Sequence, residues 1–179
     1  MTSFTDRIIR AAKLDANLYE EVEADREAMP QAITVVVLSS VAAGIGSIAQ
    51  VGLAGLLIGA ITSLLGWLFW AWLTYMIGTK LLPEPQTRSD MGELLRTIGF
   101  SSSPGLIRVL GIIPGLGAMV QLAALVWMLA AMVIAVRQAL DYTSTWRAVG
   151  VCCIGWVIQM LIIMLLFSVF GSPSQPGGF

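Results

Sequence analysis

The stretch that decides the fold is residues 31–77, QAITVVVLSSVAAGIGSIAQVGLAGLLIGAITSLLGWLFWAWLTYMI, which contains no charged residue. A short connection around residues 50–52 divides it into two apolar runs, residues 31–49 and residues 53–77. The first run is just long enough to cross about 30 Å of hydrocarbon as an α-helix, and the second is long enough to tilt. The stretch therefore predicts a helical hairpin that spans a membrane.

The composition of the whole chain agrees with a membrane protein. Of its 179 residues, 57% are hydrophobic and 12% are charged, whereas a soluble domain carries roughly 25% charged residues. Three further apolar runs follow the hairpin, at residues 94–113, 118–136 and 148–170. The expected fold class is all-α: a polytopic membrane protein with five transmembrane helices in a membrane domain at residues 31–170.

The basic residues predict the orientation of this domain, because Lys and Arg are enriched in cytoplasmic loops. If residues 31–49 leave the cytoplasm, every basic residue except Arg108 lies on the cytoplasmic side. Those residues are Arg7, Arg10, Lys13, Arg26, Lys80, Arg88, Arg96, Arg137 and Arg147. We therefore expect a multi-pass protein of a cell (inner or plasma) membrane. Its N-terminus is cytoplasmic, and an uncharged, flexible tail at residues 171–179 is extracytoplasmic.

The segment before the membrane domain, residues 1–30, has an amphipathic pattern. Residues 3–27 read as one helix whose first half is basic and whose second half is acidic. Two arrangements remain open. The helix lies on the cytoplasmic headgroups with its basic end down, or it packs as a soluble segment on the loops of the bundle itself.

The third apolar run is interrupted in its middle by small and polar residues. Proline removes a backbone donor and crowds the preceding turn, so this span is expected to be kinked or split. The serines either line a polar path or bond their own helix and relieve the break, and the second interpretation is favoured. The interrupting residues are Ser101, Ser102, Ser103 and Pro104.

Arg108 is the one basic residue expected inside the membrane, about one turn before the outer end of the third run. The simpler interpretation is that its long side chain extends to the outer phosphates. The functional alternative is a contact with a lipid or another anion, formed together with Gln121 and Gln159 on the last two runs.

The second run carries two further patterns. Gly55, Gly59 and Ser63 recur every four residues and form a small-residue ridge that lets another helix approach closely. Internal packing is the favoured interpretation over a dimer face, although the spacing alone does not decide. Trp67 and Trp70, near the inner end of the run, belong to an aromatic group that is expected in part to join the interfacial belt.

Enzyme chemistry finds little support in the sequence. The chain has no histidine, its 11 Asp and Glu residues all fall in the predicted cytoplasmic segments, and its 2 cysteines are adjacent. We therefore expect no catalytic residue, no metal site and no cofactor. The net charge of −1 argues against nucleic acid as a partner.

Three segments of the chain resemble a known family. They are LLRTIGFSSSPG at residues 94–105, RVLGIIPGLG at residues 108–117, and residues 133–155. They are similar to the Yip domain family (Ypt-interacting proteins), in its bacterial branch. The resemblance implies five spans, a cytoplasmic N-terminus and no catalytic residues. Eukaryotic members are membrane partners of small GTPases, and that role is not carried over to this chain.

Two functions follow as hypotheses. The first is a non-catalytic scaffold or accessory subunit that binds the lipid bilayer, a membrane-protein partner or a second copy. Its contact surface would be the N-terminal helix and residues 78–98. The second is a small oligomeric transporter or channel that uses the broken third span. A cation-coupled carrier usually has a carboxylate in a span, and none is present here, which favours the scaffold.

Overall fold

The computed structural model describes residues 3–170, and the described residues form helices and turns without a strand. The α-helices are α1 (Phe4–Ala12), α2 (Ala16–Ala24), α3 (Met29–Gly46), α4 (Ile48–Met76), α5 (Met91–Phe100), α6 (Gly117–Ala139) and α7 (Thr145–Phe170). A 3₁₀ turn at Arg26–Ala28 leads into α3, a π-helical turn at Ile77–Leu81 ends α4, and a 3₁₀ segment at Ser103–Ile112 follows α5. The predicted tail, residues 171–179, lies outside the described residues.

Four of the described helices are long and apolar enough to cross a membrane. They are Arg26–Gly46, Ala54–Leu81, Gly117–Ala139 and Thr145–Leu166. Each contains one of the predicted apolar runs or most of it, and the third predicted run is the one missing from this set. The chain is therefore an all-α polytopic membrane protein with four candidate spans and additional N-terminal helices.

The connection between the first two spans differs from the predicted turn. Helix α3 ends at Gly46 and α4 begins already at Ile48. Within α4, Gly52 has φ 64° and ψ −175°, a conformation that only glycine adopts at little cost. The expected turn around residues 50–52 is thus a kink inside α4, one turn after the helix starts.

The N-terminal segment is not the single helix that was expected. It folds back on itself as a hairpin of α1 and α2, which we call the N-terminal hairpin. Leu14 has φ 63° and ends the first helix, and the Asp15 side chain accepts from the Asn17 N–H to start the second. Hydrophobic periodicity continues across this point, and the prediction of one helix overlooked the capping aspartate.

Opposite charges hold the two helices of the hairpin together. Arg7 in α1 lies 3.0 Å from Glu21 and 2.7 Å from Asp25. Arg10 lies 2.8 Å from Asp15 and 2.7 Å from Glu21. The basic first half and the acidic second half, which looked like the two ends of one long helix, are therefore partners across a turn.

The N-terminal hairpin packs on the bundle rather than standing apart from it. Leu18, Tyr19 and Val22 of α2 are fully buried against α5 and α6. Arg96 of α5 donates to the Val22 carbonyl oxygen at 2.9 Å, and also to that of Glu23. In the structure, this segment thus packs on α5 and α6 of its own bundle.

The third predicted run is divided into two helical pieces. Asp90 and Glu93 form a capping box that starts α5, as their spacing predicts. Helix α5 ends at Phe100, and after a turn the chain continues as the 3₁₀ segment. The predicted break is present, because Pro104 cannot donate to the preceding turn of an α-helix.

These two pieces run alongside α3 in the same direction. Gly99 of α5 packs on Ala32, so closely that a Cβ there would lie 2.7 Å from the Ala32 Cβ. At the other end of the seam, Gly46 lies against Gly111 of the 3₁₀ segment. Residues 99–111 therefore extend along the same stretch of the bundle as residues 32–46 of α3.

The two ends of the bundle differ in packing. We call the end with α2 and the loops at residues 82–90 and 140–144 the closed end, and the end with residues 47–52 and 113–116 the open end. Leu94 and Leu140 are fully buried at the closed end. At the open end, large apolar side chains of α4, α6 and α7 face outward: Leu57, Ile58, Ile61, Met119, Leu122, Val126, Met164 and Leu165.

Candidate functional site

An interhelical cavity of about 730 Å³ lies between α3, α4, α6, α7 and the 3₁₀ segment, on the open-end side of the buried core. Ligand-binding cavities commonly measure about 300–1,000 Å³. We call it the central cavity. Its polar lining comes from every one of these elements: Ser39, Ser40, Ser63, Ser102, Arg108, Gln121 and Gln159.

The floor of the central cavity, toward the closed end, is aromatic and apolar. Trp67 donates its indole N–H to the Leu95 carbonyl oxygen at 3.1 Å, and Trp70 donates to the Met132 sulfur at 3.3 Å. Both ring systems line the cavity with their polar atoms already partnered, so they present apolar faces. Some of Trp67, Trp70, Trp72 and Tyr75 are expected in an interfacial belt. Since this pair lines the cavity, that expectation stays a prediction for Trp72 and Tyr75.

The predicted site residues separate into two groups. Arg108, Gln121 and Gln159 come together around the central cavity, although they lie on three different elements. Of the three serines at the helix break, Ser102 lines the cavity, whereas the hydroxyl groups of Ser101 and Ser103 donate to carbonyl oxygens one turn back at 2.7 Å each. Ser101, Ser103 and Pro104 are buried. We interpret them as residues that shape the helix break rather than as part of a ligand site.

The guanidinium of Arg108 is held by neutral groups. Its Nε donates to the Gly105 carbonyl oxygen at 3.2 Å. Its Nη2 donates to the Ser39 hydroxyl at 2.9 Å and lies 3.1 Å from the Met128 sulfur. Its Nη1 donates to no described residue, and none of the ion pairs between described residues includes Arg108.

The direction of the Arg108 side chain is opposite to the simpler sequence interpretation. The Arg108 backbone lies at the level of Gly46, near the open end. Its guanidinium meets Ser39, which is seven residues, or about 10 Å along α3, closer to the closed end. Helical side chains lean toward the N-terminus of their helix, and here that direction leads into the bundle rather than out toward the phosphates.

The small-residue ridge of α4 does not pack against another described helix throughout its length. A Cβ at Gly59 would meet no heavy atom within 4 Å, and the same holds at Gly66, one residue of the cavity lining. Ser63 lines the cavity and Gly55 is half-buried. At Gly59 the ridge therefore leaves space that a larger side chain would fill. Whether the ridge serves packing within the chain or a dimer face stays a prediction.

Several lining residues were missed by the sequence reasoning. Ser39 and Ser40 carry no motif, and hydroxyl groups in an apolar run usually bond their own helix. Gly66 and Trp156 are isolated in their runs. The usable signal was on α4, where small residues at Ser63 and Gly66 alternate with large rings on one helical face.

The closed end carries a second cavity, which is acidic. Glu20, Glu23, Glu93 and Asp141 are among its lining residues. Burial, together with the neighbouring carboxylates of Asp141, Glu93 and Glu20, raises the pKa of Glu23 to about 8, although Arg96 opposes the shift. Among the described residues, no group of three His, Cys, Asp or Glu has an arrangement that could hold a metal ion.

The loop before α5 is fastened to the loop before α7 at this end. Glu84 accepts from the Thr143 backbone N–H at 3.0 Å and its hydroxyl at 2.9 Å, and lies 3.1 Å from Arg147. The hydrogen bond from the Thr143 backbone is the main reason that the pKa of Glu84 lies below its ordinary value. Tyr142 donates toward the carbonyl oxygens of Gly78 and Leu82.

Fold and site together define a class: a polytopic α-helical membrane protein with a polar-and-aromatic cavity between its spans. The Yip1 domain matches residues 17–167, which is most of the chain, and the protein belongs to the Yip1 domain family. Members of that family are in general non-catalytic membrane-trafficking proteins. No curated protein and no solved structure matches the chain.

Proposed function

We propose that this protein is a non-catalytic membrane scaffold or accessory subunit that binds a membrane lipid in the central cavity. The observation that carries the proposal is the cavity itself, a space of about 730 Å³ between candidate spans. Its lining combines an apolar floor with polar groups nearer the open end. A lipid has both kinds of surface, and a cavity between spans is accessible from the bilayer without passage through water.

The proposal includes five crossings of an inner or plasma membrane, with the closed end cytoplasmic. Residues 91–112 make the third crossing, in parallel with α3. Ten residues of α-helix and ten of 3₁₀ helix extend about 35 Å, enough for about 30 Å of hydrocarbon. The positive-inside bias supports the same orientation.

Association with a protein partner would use the closed end. Trp146, with 83% of its surface exposed, and the loop at residues 82–90 lie at that end. Deletion of the hairpin would uncover Leu94 and other buried residues, so it is a poor test. Mass spectrometry of proteins that purify with the intact chain, compared with a Trp146→Ser variant, tests this surface without disturbing the core.

The alternative is a small oligomeric transporter or channel along the broken span. Polar groups of the central cavity favour it, but two of the three serines at the break are used within the helix. The Asp and Glu residues of the chain are confined to residues 6–27, 84–93 and 141. A coupled cation would find no acidic site at membrane depth, so the lipid-binding function is the better supported one.

A matched pair of variants on α4 tests lipid binding. Gly66→Phe places a ring into the central cavity, whereas Gly59→Phe places the same ring two turns away, outside the cavity lining. Neither position has a heavy atom within 4 Å of the new Cβ. Native mass spectrometry from mild detergent should find bound lipid on the wild type and Gly59→Phe, and a large loss on Gly66→Phe.

Two outcomes would count against the proposal. Equal lipid occupancy in both phenylalanine variants would place the lipid on the outer surface rather than in the cavity. Solute flux into proteoliposomes that Gly66→Phe blocks and Gly59→Phe does not would favour the transporter instead.

A further inference from the structure

Arg108 forms no ion pair with any described residue. Its hydrogen-bond acceptors are the Gly105 carbonyl, the Ser39 hydroxyl and the Met128 sulfur, all of them neutral. The carboxylates of the chain are confined to residues 6–27, 84–93 and 141. No side-chain rearrangement within residues 28–82 or 94–140 can therefore supply a counter-charge.

Such a cation is costly at membrane depth. Insertion scales assign about 2.5–3.5 kcal/mol to an arginine at the centre of a transmembrane helix. Hydrogen bonds to Ser39 and Gly105 offset part of this cost by solvating two of the three guanidinium nitrogens. An anion on the remaining Nη1 would offset more, since charge-assisted hydrogen bonds are about twice as strong as neutral ones.

The position of the free nitrogen identifies where the anion binds. Arg108 lines the central cavity, and every deeply buried polar side-chain atom among the described residues has a partner. Nη1 has none, so it is not one of those deeply buried atoms and remains accessible from the cavity. Gln121 and Gln159 lie in the same lining, and their amide groups can donate to the same ligand.

The shape of the lining indicates what the anion is attached to. Trp70 and Met132 form the floor, and Gln121 lies eleven residues before Met132 on α6, about 16 Å nearer the open end. Arg108 lies between these two levels, beside Met128. A ligand that fills the cavity therefore has its anionic group at Arg108 and an apolar portion against the tryptophan rings.

We infer that the central cavity binds an anionic amphiphile, a phosphate or carboxylate group with an acyl chain, through the guanidinium of Arg108. This inference rests on the proposed function and adds to it the headgroup class of the bound lipid. The proposed function by itself requires only that the cavity binds the apolar part of a lipid. Arg108 is then the specificity residue, and Ser39 is the positioning residue that turns its guanidinium into the cavity.

Competitive binding to the purified protein tests this assignment. Native mass spectrometry and tryptophan fluorescence would compare dioleoylphosphatidylglycerol, the uncharged dioleoylglycerol, which has the same acyl chains and no phosphate, and inorganic phosphate. The wild type should prefer the phosphatidylglycerol by about tenfold or more, the effect of one hydrogen bond to a charged group. Arg108→Gln should remove that preference, and Arg108→Lys should keep part of it. Arg88→Gln, at an exposed loop position, is the matched control and should behave as wild type.

The outcomes distinguish a failure of the anionic-headgroup assignment from a failure of the lipid-binding function. Equal affinity of the wild type for the two lipids would overturn the assignment of an anionic headgroup, and this result does not depend on the folding of any variant. Loss of lipid binding in Gly66→Phe would in that case still support binding in the cavity. A preference that persists in Arg108→Gln overturns the role of Arg108. Inorganic phosphate could also bind as tightly as phosphatidylglycerol and in an Arg108-dependent way. That result would support an anion site at Arg108 but identify a free anion, rather than a lipid headgroup, as its occupant.

Discussion

The closed and open ends of the bundle are both helical, but they differ in how their polar atoms are satisfied. At the closed end, α2 and α5 bring polar atoms to one another, and Arg96 alone bonds two carbonyl oxygens of α2. At the open end, small residues of α4 face space, and Arg108 holds a nitrogen without a protein partner. The closed end is thus satisfied by its own residues, whereas at the open end we propose that a bound ligand supplies the missing partner.

Glycines at the two ends should respond most differently to substitution. Gly99→Ala places a Cβ 2.7 Å from the Ala32 Cβ and 3.2 Å from its Cα, so α5 must shift away from α3. We expect a loss of about 1–3 kcal/mol in the free energy of unfolding. Gly59→Ala meets no atom and should be neutral or gain up to about 1 kcal/mol from helix propensity.

Thermal unfolding in detergent measures both variants. A similar decrease in melting temperature for Gly99→Ala and Gly59→Ala would show that the open end is packed as tightly as the closed end, and the contrast between them would be lost.

Arg96 is expected to have the next largest effect. Its guanidinium is only 5% exposed and bonds the carbonyl oxygens at the end of α2. Arg96→Met leaves those carbonyls unpaired and should weaken the docking of the N-terminal hairpin by about 2 kcal/mol. Hydrogen exchange should accelerate in α2 while α6 stays protected, and Arg88→Met serves as the exposed control. Unchanged exchange in α2 would mean that the apolar face of the hairpin is sufficient.

Glu84 should contribute a smaller and pH-dependent effect. Its pKa is lowered in the folded protein, mainly by the Thr143 backbone N–H, so the stabilisation is present above its ordinary value of 4.5 and is lost as pH falls through the folded value. Glu84→Gln should lower the melting temperature at pH 7 and weaken its dependence on pH in the acid range. Identical acid profiles for the variant and the wild type would contradict this.

Glu23 should have the opposite pH dependence and the smallest effect. Its pKa is raised to about 8, chiefly by burial, so the folded protein favours the protonated carboxyl. The docking of the N-terminal hairpin is then strongest in acid and weakens as pH rises from the ordinary pKa of 4.5 toward about 8. Glu23→Gln should remove this trend: the protection of the α2 amides, that is, their exchange rate relative to an unfolded chain at the same pH, should no longer fall between about pH 5 and 8. Glu27→Gln, at an exposed position beyond α2, is the control.

The sequence predicted the helices where one rule acted alone. Uninterrupted apolar runs identified the four candidate spans, and the Asp90–Glu93 spacing identified the start of α5. The prediction of one N-terminal helix was wrong because the capping bond of Asp15 and the left-handed conformation of Leu14 outweighed a continuous periodic pattern.

The candidate site was only partly accessible to the same reasoning. Arg108, Gln121 and Gln159 stood out as polar residues in apolar surroundings, and they line one cavity. Ser39 and Trp70 did not, because their contribution depends on which helices are neighbours, and sequence periodicity does not specify neighbours. The direction of Arg108 likewise depends on a hydroxyl 69 positions earlier in the chain.

The 3₁₀ winding at Ser103–Ile112 also makes this segment longer than an α-helix with the same number of residues. Ten residues extend about 20 Å in that form and about 15 Å as an α-helix. The tighter winding also gives a thinner rod, which occupies less cross-section beside α3 and α6. Any rewinding toward α-helix would shorten the segment by up to about 5 Å and thicken it. Such a change of helical pitch would therefore alter the position of the turn at residues 113–116, the position of the Arg108 guanidinium and the volume of the cavity together.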